Sequence, residues 1–414
     1  MSTPAPFSFR SVALPAFVPT LLFSIGEGAI IPIIPIVADD LGVSLAIAGL
    51  IAAMIMVGQL VGDIPSGWLV ARVGERTSMI GASVVAIAGL ALATLAPNPW
   101  ILGFAIFVIG IATAVFALAR HAFMTSFVPL QYRARALSTL GGTFRLGFFV
   151  GPFIAAAVIH LTGSTSAVFV VHVVGCVGAA AVLLTLRDPG ATFSSRPGTS
   201  PGGRVHAGAS SPSLGLFSTI ARSRGVLVRL GSGAALIGGV RASRAIILPL
   251  WAVSIGVGDT TTVIIIGVAG SIDFALFYAS GQIMDRFGRL LTAVPSMVGM
   301  GTGLLVLAFS IGFDGREVWF IAAAMFLAVA NGIGSGILMT LGADLADKNN
   351  PAPFLGAWRF TGDLGSAGAP LLVAGVTGAV SLAAATGVIG VLGLAGAGIL
   401  LRYVPRYVAR PSRT

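Results

Sequence analysis

The chain is 414 residues long, 56% hydrophobic and only 9% charged, with a mean hydropathy of +1.00. Soluble domains carry about 25% charged residues, so an ordinary globular protein is excluded, and the single cysteine, Cys176, excludes an internal disulfide or a multi-cysteine metal site. The net charge of +10 does not point to nucleic acid, because the basic residues, all arginine except Lys348, are dispersed among loops between apolar runs.

A membrane-spanning helix needs about 20 apolar residues, and twelve runs qualify: 12–37, 46–69, 78–96, 100–127, 135–160, 166–186, 227–253, 260–283, 291–312, 317–342, 353–378 and 380–402. The first of these is too long after Arg10, and too charged at its end, for a cleavable signal peptide. Between the sixth and seventh runs, residues 187–213 are Ser, Gly, Pro and Arg with almost nothing apolar, which predicts a flexible linker. The following Leu214–Arg224 reads as a short amphipathic segment on the membrane surface. Three units are therefore expected: a six-helix bundle over 1–186, a linker over 187–224, and a second bundle with a short tail over 225–414.

One set of loops collects Arg10, Arg72, Arg76, Arg133, Arg135, Arg187, Arg286, Arg289 and Lys348 together with the arginine-rich tail. The opposite set holds Asp39, Asp40, Asp259, Asp314 and Glu317 against Arg316 alone. Excess positive charge marks the cytoplasmic side, so both termini are expected there, in a bacterial inner (plasma) membrane protein. Trp68, Trp100, Trp251, Trp319 and Trp358 fall near helix ends, where an interfacial aromatic belt is expected.

The second half of the chain repeats the first. Gly67, Arg72 and Gly74 recur 214 residues later as Gly281, Arg286 and Gly288, and the same offset carries Pro35 onto Pro249 and Gly42 onto Gly256. Further on, Leu146, Gly147 and Pro152 recur at an offset of 218 as Leu364, Gly365 and Pro370. A parallel repeat of apolar helices is a transporter architecture.

The cleaner copy of the repeated loop, Gly281, Asp285, Arg286, Gly288 and Arg289, resembles the G-x-L-x-D-R-x-G-R-R signature of the major facilitator superfamily. The first copy, Gly67, Arg72, Gly74 and Arg76, departs from it with Ala71 in place of the acid and Glu75 in place of a base. In helix 1, Gly28, Pro32 and Pro35 resemble the G-x-x-x-P-x-x-P pattern of drug–proton antiporters; in helix 5, Gly147, Gly151 and Pro152 resemble their G-x-x-x-G-P motif. The resemblance covers nearly the whole chain. It implies an all-α membrane protein of twelve transmembrane helices in two pseudo-symmetric six-helix bundles. It also implies that Asp285 braces the facing half against a helix start, where unpaired N–H groups favour an anion.

Among the charged residues inside predicted helices are Glu27, Asp63, Asp273 and Asp363 against Arg120, Arg145, Arg241 and Arg244. Each costs roughly 2.5–3.5 kcal/mol at the bilayer centre, so each is expected to face protein or water. Glu27, Asp273, Asp63 and Asp363 are the candidate proton-coupling acids, since a carboxyl in a low-dielectric site can exchange a proton near neutral pH. Glu27, Arg241, Arg244 and Arg120 are the candidate substrate-cavity residues; the repeat sets Glu27 of helix 1 opposite Arg241 of helix 7, helices that line the cavity in the resembled family. Glu27 with Arg241 is also readable as a structural ion pair. By the same resemblance, Arg145 with Asp273 and Arg359 with Asp63 are expected to pair between halves as gate elements, static packing within one half being the alternative.

The four histidines show no ligand spacing, and no metal or other cofactor is expected; nucleophile, metalloprotease and P-loop signatures are absent, so no enzyme is expected. The reading reached is a secondary transporter, a proton-coupled exporter of a small amphipathic compound working by alternating access. A metabolite importer, with an anionic substrate suggested by Arg241 and Arg244, and a non-transporting membrane receptor on the same fold are the alternatives. Expected partners are a small-molecule substrate, protons and the bilayer, with no nucleic acid and a monomeric chain.

Overall fold

A computed structural model of the protein describes residues 9–128, 130–185, 223–346 and 352–407. Nearly all of the expected linker over 187–224, together with Lys348 and the arginine tail beyond 407, lies outside the described residues. The first half comprises α1 (Phe9–Ile30), a 3-10 turn Ile31–Ile33, α2 (Ile34–Asp40), α3 (Leu45–Val73), α4 (Glu75–Thr94), α5 (Pro99–Phe127), α6 (Leu130–Thr162) and α7 (Phe169–Thr185). The second comprises α8 (Ser232–Ser254), α9 (Asp259–Phe287), α10 (Leu290–Phe309), α11 (Arg316–Ile333), α12 (Ile337–Leu345), α13 (Ala352–Ala379) and α14 (Leu382–Tyr407).

Eleven segments among the described residues are long and apolar enough to cross a membrane, α1 with α2 and α11 with α12 each counting as one. The twelfth is α13, whose glycines, Arg359 and Asp363 dilute its apolar character. Its 28 residues nonetheless pack along α8 and α3 like its repeat-mate α6. Outward-facing side chains are apolar, including Ile64, Phe104, Val174, Phe309 and Met339, while polar groups turn inward, the inversion required when the solvent is lipid.

The internal repeat is visible in packing and in backbone angles. In the first half α3 packs on α5, α1 on α6 and α7, and α4 on α5 and α7. The second half repeats each pairing: α9 on α11, α8 on α13 and α14, and α10 on α11 and α14. The protein is thus an all-α membrane fold of two pseudo-symmetric six-helix bundles. Gly74 and Gly288, which end α3 and α9, share φ values of +84° and +89° with ψ of 161° and 166°, a region essentially restricted to glycine. Close approach is bought with missing side chains, as at Gly58 and Gly110, where each glycine meets the other's backbone across α3 and α5.

Two expectations are corrected. The predicted helix over 317–342 is broken after Ile333, where Gly334, Ser335 and Gly336 intervene and Gly336 takes a φ of +83°. Of the five tryptophans, Trp68, Trp100 and Trp319 are exposed on the protein's surface, but Trp251 and Trp358 are buried and so are not available to an interfacial belt. Trp358 fills the space beside the broken helix and donates its indole N–H to the Leu338 carbonyl at 2.8 Å; a buried Trp N–H requires such a partner.

The halves meet along two seams, α3 with α13 and α6 with α9. They are also closed at the end carrying Asp40 and Asp259: α2 and α3 touch α8, Gly49 faces Leu250 and Ala374, and Gly378 faces Ala46. Toward the end carrying Gly74 and Gly288, α5 and α6 make no packed interface with α12 or α13 among the described residues.

Candidate functional site

A cavity of about 180 Å³ lies between the halves, lined by α1, α3, α5, α6 and α13. Its most buried charged group is Glu27, which is 2% exposed. The local sequence aims it: Gly26 sits against His172 of α7 and Gly28 against Phe148 of α6, so both flanking positions are pressed to neighbouring helices and the side chain between them turns to the cavity. Gln59 of α3 donates to Glu27 Oε1 at 3.4 Å, whereas Oε2 is buried without a partner. Thr113 Oγ1 and Arg120 Nε, both from α5, are also buried and unpartnered. The Arg120 guanidinium lies over the Phe144 ring at 4.5 Å. Phe23 and Phe116 stack at 4.1 Å and supply an apolar wall with Met56 and Leu60.

Helical spacing explains why these residues converge. Met56, Gln59, Leu60 and Asp63 form one stripe of α3, Thr113, Ala117 and Arg120 one of α5, and Arg359, Asp363 and Ser366 one of α13. At the far side of the cavity Arg359 reaches Asp63 at 3.8 Å and Asp363 at 3.4 Å.

The expected pairs are partly rearranged. Arg359 lies beside Asp63, but Arg145 and Asp273 form no ion pair among the described residues. Asp273 instead accepts from Arg244, one helix away in its own half, and Arg145 places its guanidinium over Phe277 at 4.3 Å. Asp273 lies deep along α9, where a guanidinium three residues beyond Arg241 on α8 reaches it first. Nor do Glu27 and Arg241 pair. Arg241 donates to the Gly334 carbonyl at 2.7 Å, an acceptor in the break between α11 and α12 that it shares with the Ile337 N–H at 3.2 Å. Ser280 donates to the two neighbouring carbonyls of the break, Ile333 at 2.6 Å and Ser335 at 2.8 Å. Arg241 and Arg244 therefore lie away from the cavity, engaged in the second half.

The loop motifs act within their own halves. Arg76 donates to the Leu183 carbonyl at 2.7 Å and the Leu184 carbonyl at 3.3 Å, capping the end of α7. Arg289 contacts both oxygens of Asp344, at 2.7 and 3.4 Å, and fixes α12. Arg72 lies over Trp68 and Arg286 over Phe287. The side chain of Asp285, and with it the expected brace, lies outside the described residues. Gly67 and Gly281 have open space around them or nearly so. In α6, Gly147 packs against Ser24 and Ile25, and Gly151 against Ile25 and Ala29, directly behind Glu27; Pro152 follows within the helix.

Sequence reasoning missed Gln59, Thr113, Phe144, Ser366 and Asp344. Gln59 was findable, since it is a polar residue one turn before Asp63 in an apolar run. Thr113 and Phe144 carried no signal, because threonine and phenylalanine are ordinary residues in membrane helices. Candidate metal-holding groups of three or more His, Cys, Asp or Glu are absent among the described residues.

Comparison with known proteins agrees with this architecture. The D-xylose–proton symporter structure superposes with a TM-score of 0.74 at 14% identity, covering 96% of this chain and 98% of that one. A POT family transporter in complex with a thioalcohol-conjugated peptide gives 0.78 at 13% identity over 97% of each chain. Among characterised relatives, the multidrug resistance protein MdtG of Enterobacter lignolyticus is 29% identical over 185 residues, 44% of each chain. The galactose–proton symporter of Escherichia coli K12 is 24% identical over 144 residues, 35% of this chain and 31% of that protein. These alignments span less than half of the relatives' own length. The family profile described as Major Facilitator Superfamily matches residues 16–370: the chain belongs to the Major Facilitator Superfamily, a family of membrane transporters and not of enzymes.

Proposed function

We propose that the protein is a proton-coupled exporter of small amphipathic compounds, moving substrate by alternating access between halves 1–186 and 225–414. The observation that carries this reading is Glu27. It is an acid buried at the inner surface of a cavity between the halves, with one oxygen unpartnered and no basic group within ion-pair distance among the described residues. Burying an ionised carboxylate this way is costly. The cost is relieved by binding a proton, by the charge of Arg120 across the cavity, or by a substrate donor, and these exchange for one another during a transport cycle. The apolar wall of Phe23, Phe116, Met56 and Leu60 suits the hydrophobic part of an amphipathic substrate. With the arginine-rich loops placed in the cytoplasm, the closed end of Asp40 and Asp259 faces outward, which suits the state from which an exporter loads.

The export reading draws on helix-1 and helix-5 motifs and on similarity to a multidrug resistance protein; similarity to a galactose–proton symporter favours the opposite direction. Uptake and efflux of a compound panel in proteoliposomes with an imposed pH gradient separates the two. In that assay Glu27→Gln abolishes gradient-driven transport and leaves substrate exchange at equilibrium largely intact. A Glu27→Gln protein that still concentrates substrate on a pH gradient alone refutes the assignment.

A further inference from the structure

We infer that Asp63, Arg359 and Asp363 form a second proton-binding site, held between the two halves, whose occupancy controls the strength of the α3–α13 seam. The inference deepens the transporter reading above and rests on it for its physiological role.

Asp63 belongs to the first half, and Arg359 and Asp363 to the second. Arg359 approaches both acids but saturates neither, at 3.8 and 3.4 Å, longer than the roughly 2.7–2.9 Å of a charge-assisted pair. Approaching the same guanidinium from opposite halves, the two carboxyl groups face each other across the seam. With both ionised the triad carries a formal charge of −1 and the carboxylates repel across the seam; one proton shared between them replaces repulsion with an O–H···O bond. The side chains are 27%, 49% and 35% exposed for Asp63, Arg359 and Asp363, so water in the cavity reaches them. The other charged groups facing this space are Glu27 of α1 and Arg120 of α5. His121, beside Arg120, is engaged with the Ala117 carbonyl at 2.7 Å.

Pseudo-symmetry sharpens the point. The repeat relates Asp63 to Phe277 by 214 residues and Asp363 to Arg145 by 218, and it relates the α3–α13 seam to the α6–α9 seam. In that second seam the equivalent residues meet as Arg145 over Phe277, at 4.3 Å. A guanidinium on an aromatic ring does not titrate in the physiological range. The positions equivalent to the triad therefore carry no carboxyl pair in the second seam, so the proposed proton response belongs to the α3–α13 seam alone.

The test uses spin labels at Leu41→Cys and Val380→Cys, exposed positions of opposite halves at the closed end, in a Cys176→Ser background. Distances are measured in nanodiscs without substrate from pH 5 to 9. The closed population is expected to be highest at low pH, its ratio to the open one changing by up to about tenfold per pH unit for one coupled proton. Asp63→Asn and Asp363→Asn each flatten this profile at its low-pH level, and Arg145→Gln leaves it in place. A flat wild-type profile, a profile that survives both Asn variants, or one abolished by Glu27→Gln alone overturns the inference. Failure of the transport reading shows separately, as gradient-driven transport retained in Glu27→Gln.

Discussion

The glycines of α6 provide a graded test of how Glu27 is held. A Cβ added at Gly151 meets the Ala29 nitrogen, the Ile25 carbonyl oxygen and, at 2.7 Å, the Gly28 carbonyl carbon; one at Gly147 meets Ser24 and, at 2.8 Å, the Ile25 nitrogen. These are mostly backbone atoms that cannot rotate aside, so α1 and α6 must separate by about 1 Å to restore ordinary contact. Over-packing of this kind costs about 1–3 kcal/mol per site, against a helix-propensity gain of about 1 kcal/mol for Gly→Ala. A net loss of up to about 2 kcal/mol is expected for Gly147→Ala or Gly151→Ala. The double variant loses less than the sum, because one separation of the helices serves both sites. Gly142→Ala in the same helix has nothing within 4 Å and retains only the propensity gain. Thermal unfolding followed by tryptophan fluorescence in one detergent ranks the four proteins. The same displacement moves Glu27 relative to Gln59 and disturbs their 3.4 Å contact, so transport falls with stability. Gly151→Ala at or above wild-type stability, with Gly142→Ala below it, refutes the close-packing argument.

Three further outcomes follow from other sites. Gly74→Ala and Gly288→Ala each lose about 1–3 kcal/mol through backbone strain, and by nearly equal amounts because their angles match; a neutral change at either, in urea or thermal unfolding, contradicts the shared geometry. Ser280→Ala leaves the Ile333 and Ser335 carbonyls at the α11–α12 break without their hydroxyl donor, a cost of about 1–3 kcal/mol, whereas Arg241→Gln costs less because the Gly334 carbonyl keeps the Ile337 N–H; both are read as faster hydrogen exchange over 331–340, and unchanged exchange in Ser280→Ala removes its role as a clasp. Asp285→Asn shifts the balance toward the conformation open at the Gly74 and Gly288 end, with more effect than Ala71→Ser, and unchanged cysteine labelling at the opposite end rules out the brace.

How much of this was legible beforehand varied with the range of the interaction. Gly74 and Gly288 were found by their spacing because a chain-reversing angle leaves a residue-type mark wherever it recurs. The α11–α12 break was also written locally, in Gly334 and Gly336, but an unbroken apolar run masked it. Gln59 left a mark that went unread, whereas Phe144 beside Arg120 left none.

What the sequence determined by itself was the class, the helix count and the repeat: hydropathy over about 20 residues decides membrane insertion, and glycines at fixed offsets report backbone geometry that only glycine adopts. What the tertiary structure decided was which buried charge meets which. Glu27 and Arg241 stand at equivalent positions in the repeat, yet one faces a cavity beside Gln59 and the other a carbonyl at a helix break. Asp273 turned to Arg244 and left Arg145 to an aromatic ring. A buried charge is matched by the nearest group able to satisfy it, and nearness across helices depends on their rotation and crossing. Those are set by small-residue contacts such as Gly28 with Phe148 and Gly151 with Ala29, summed over the whole bundle.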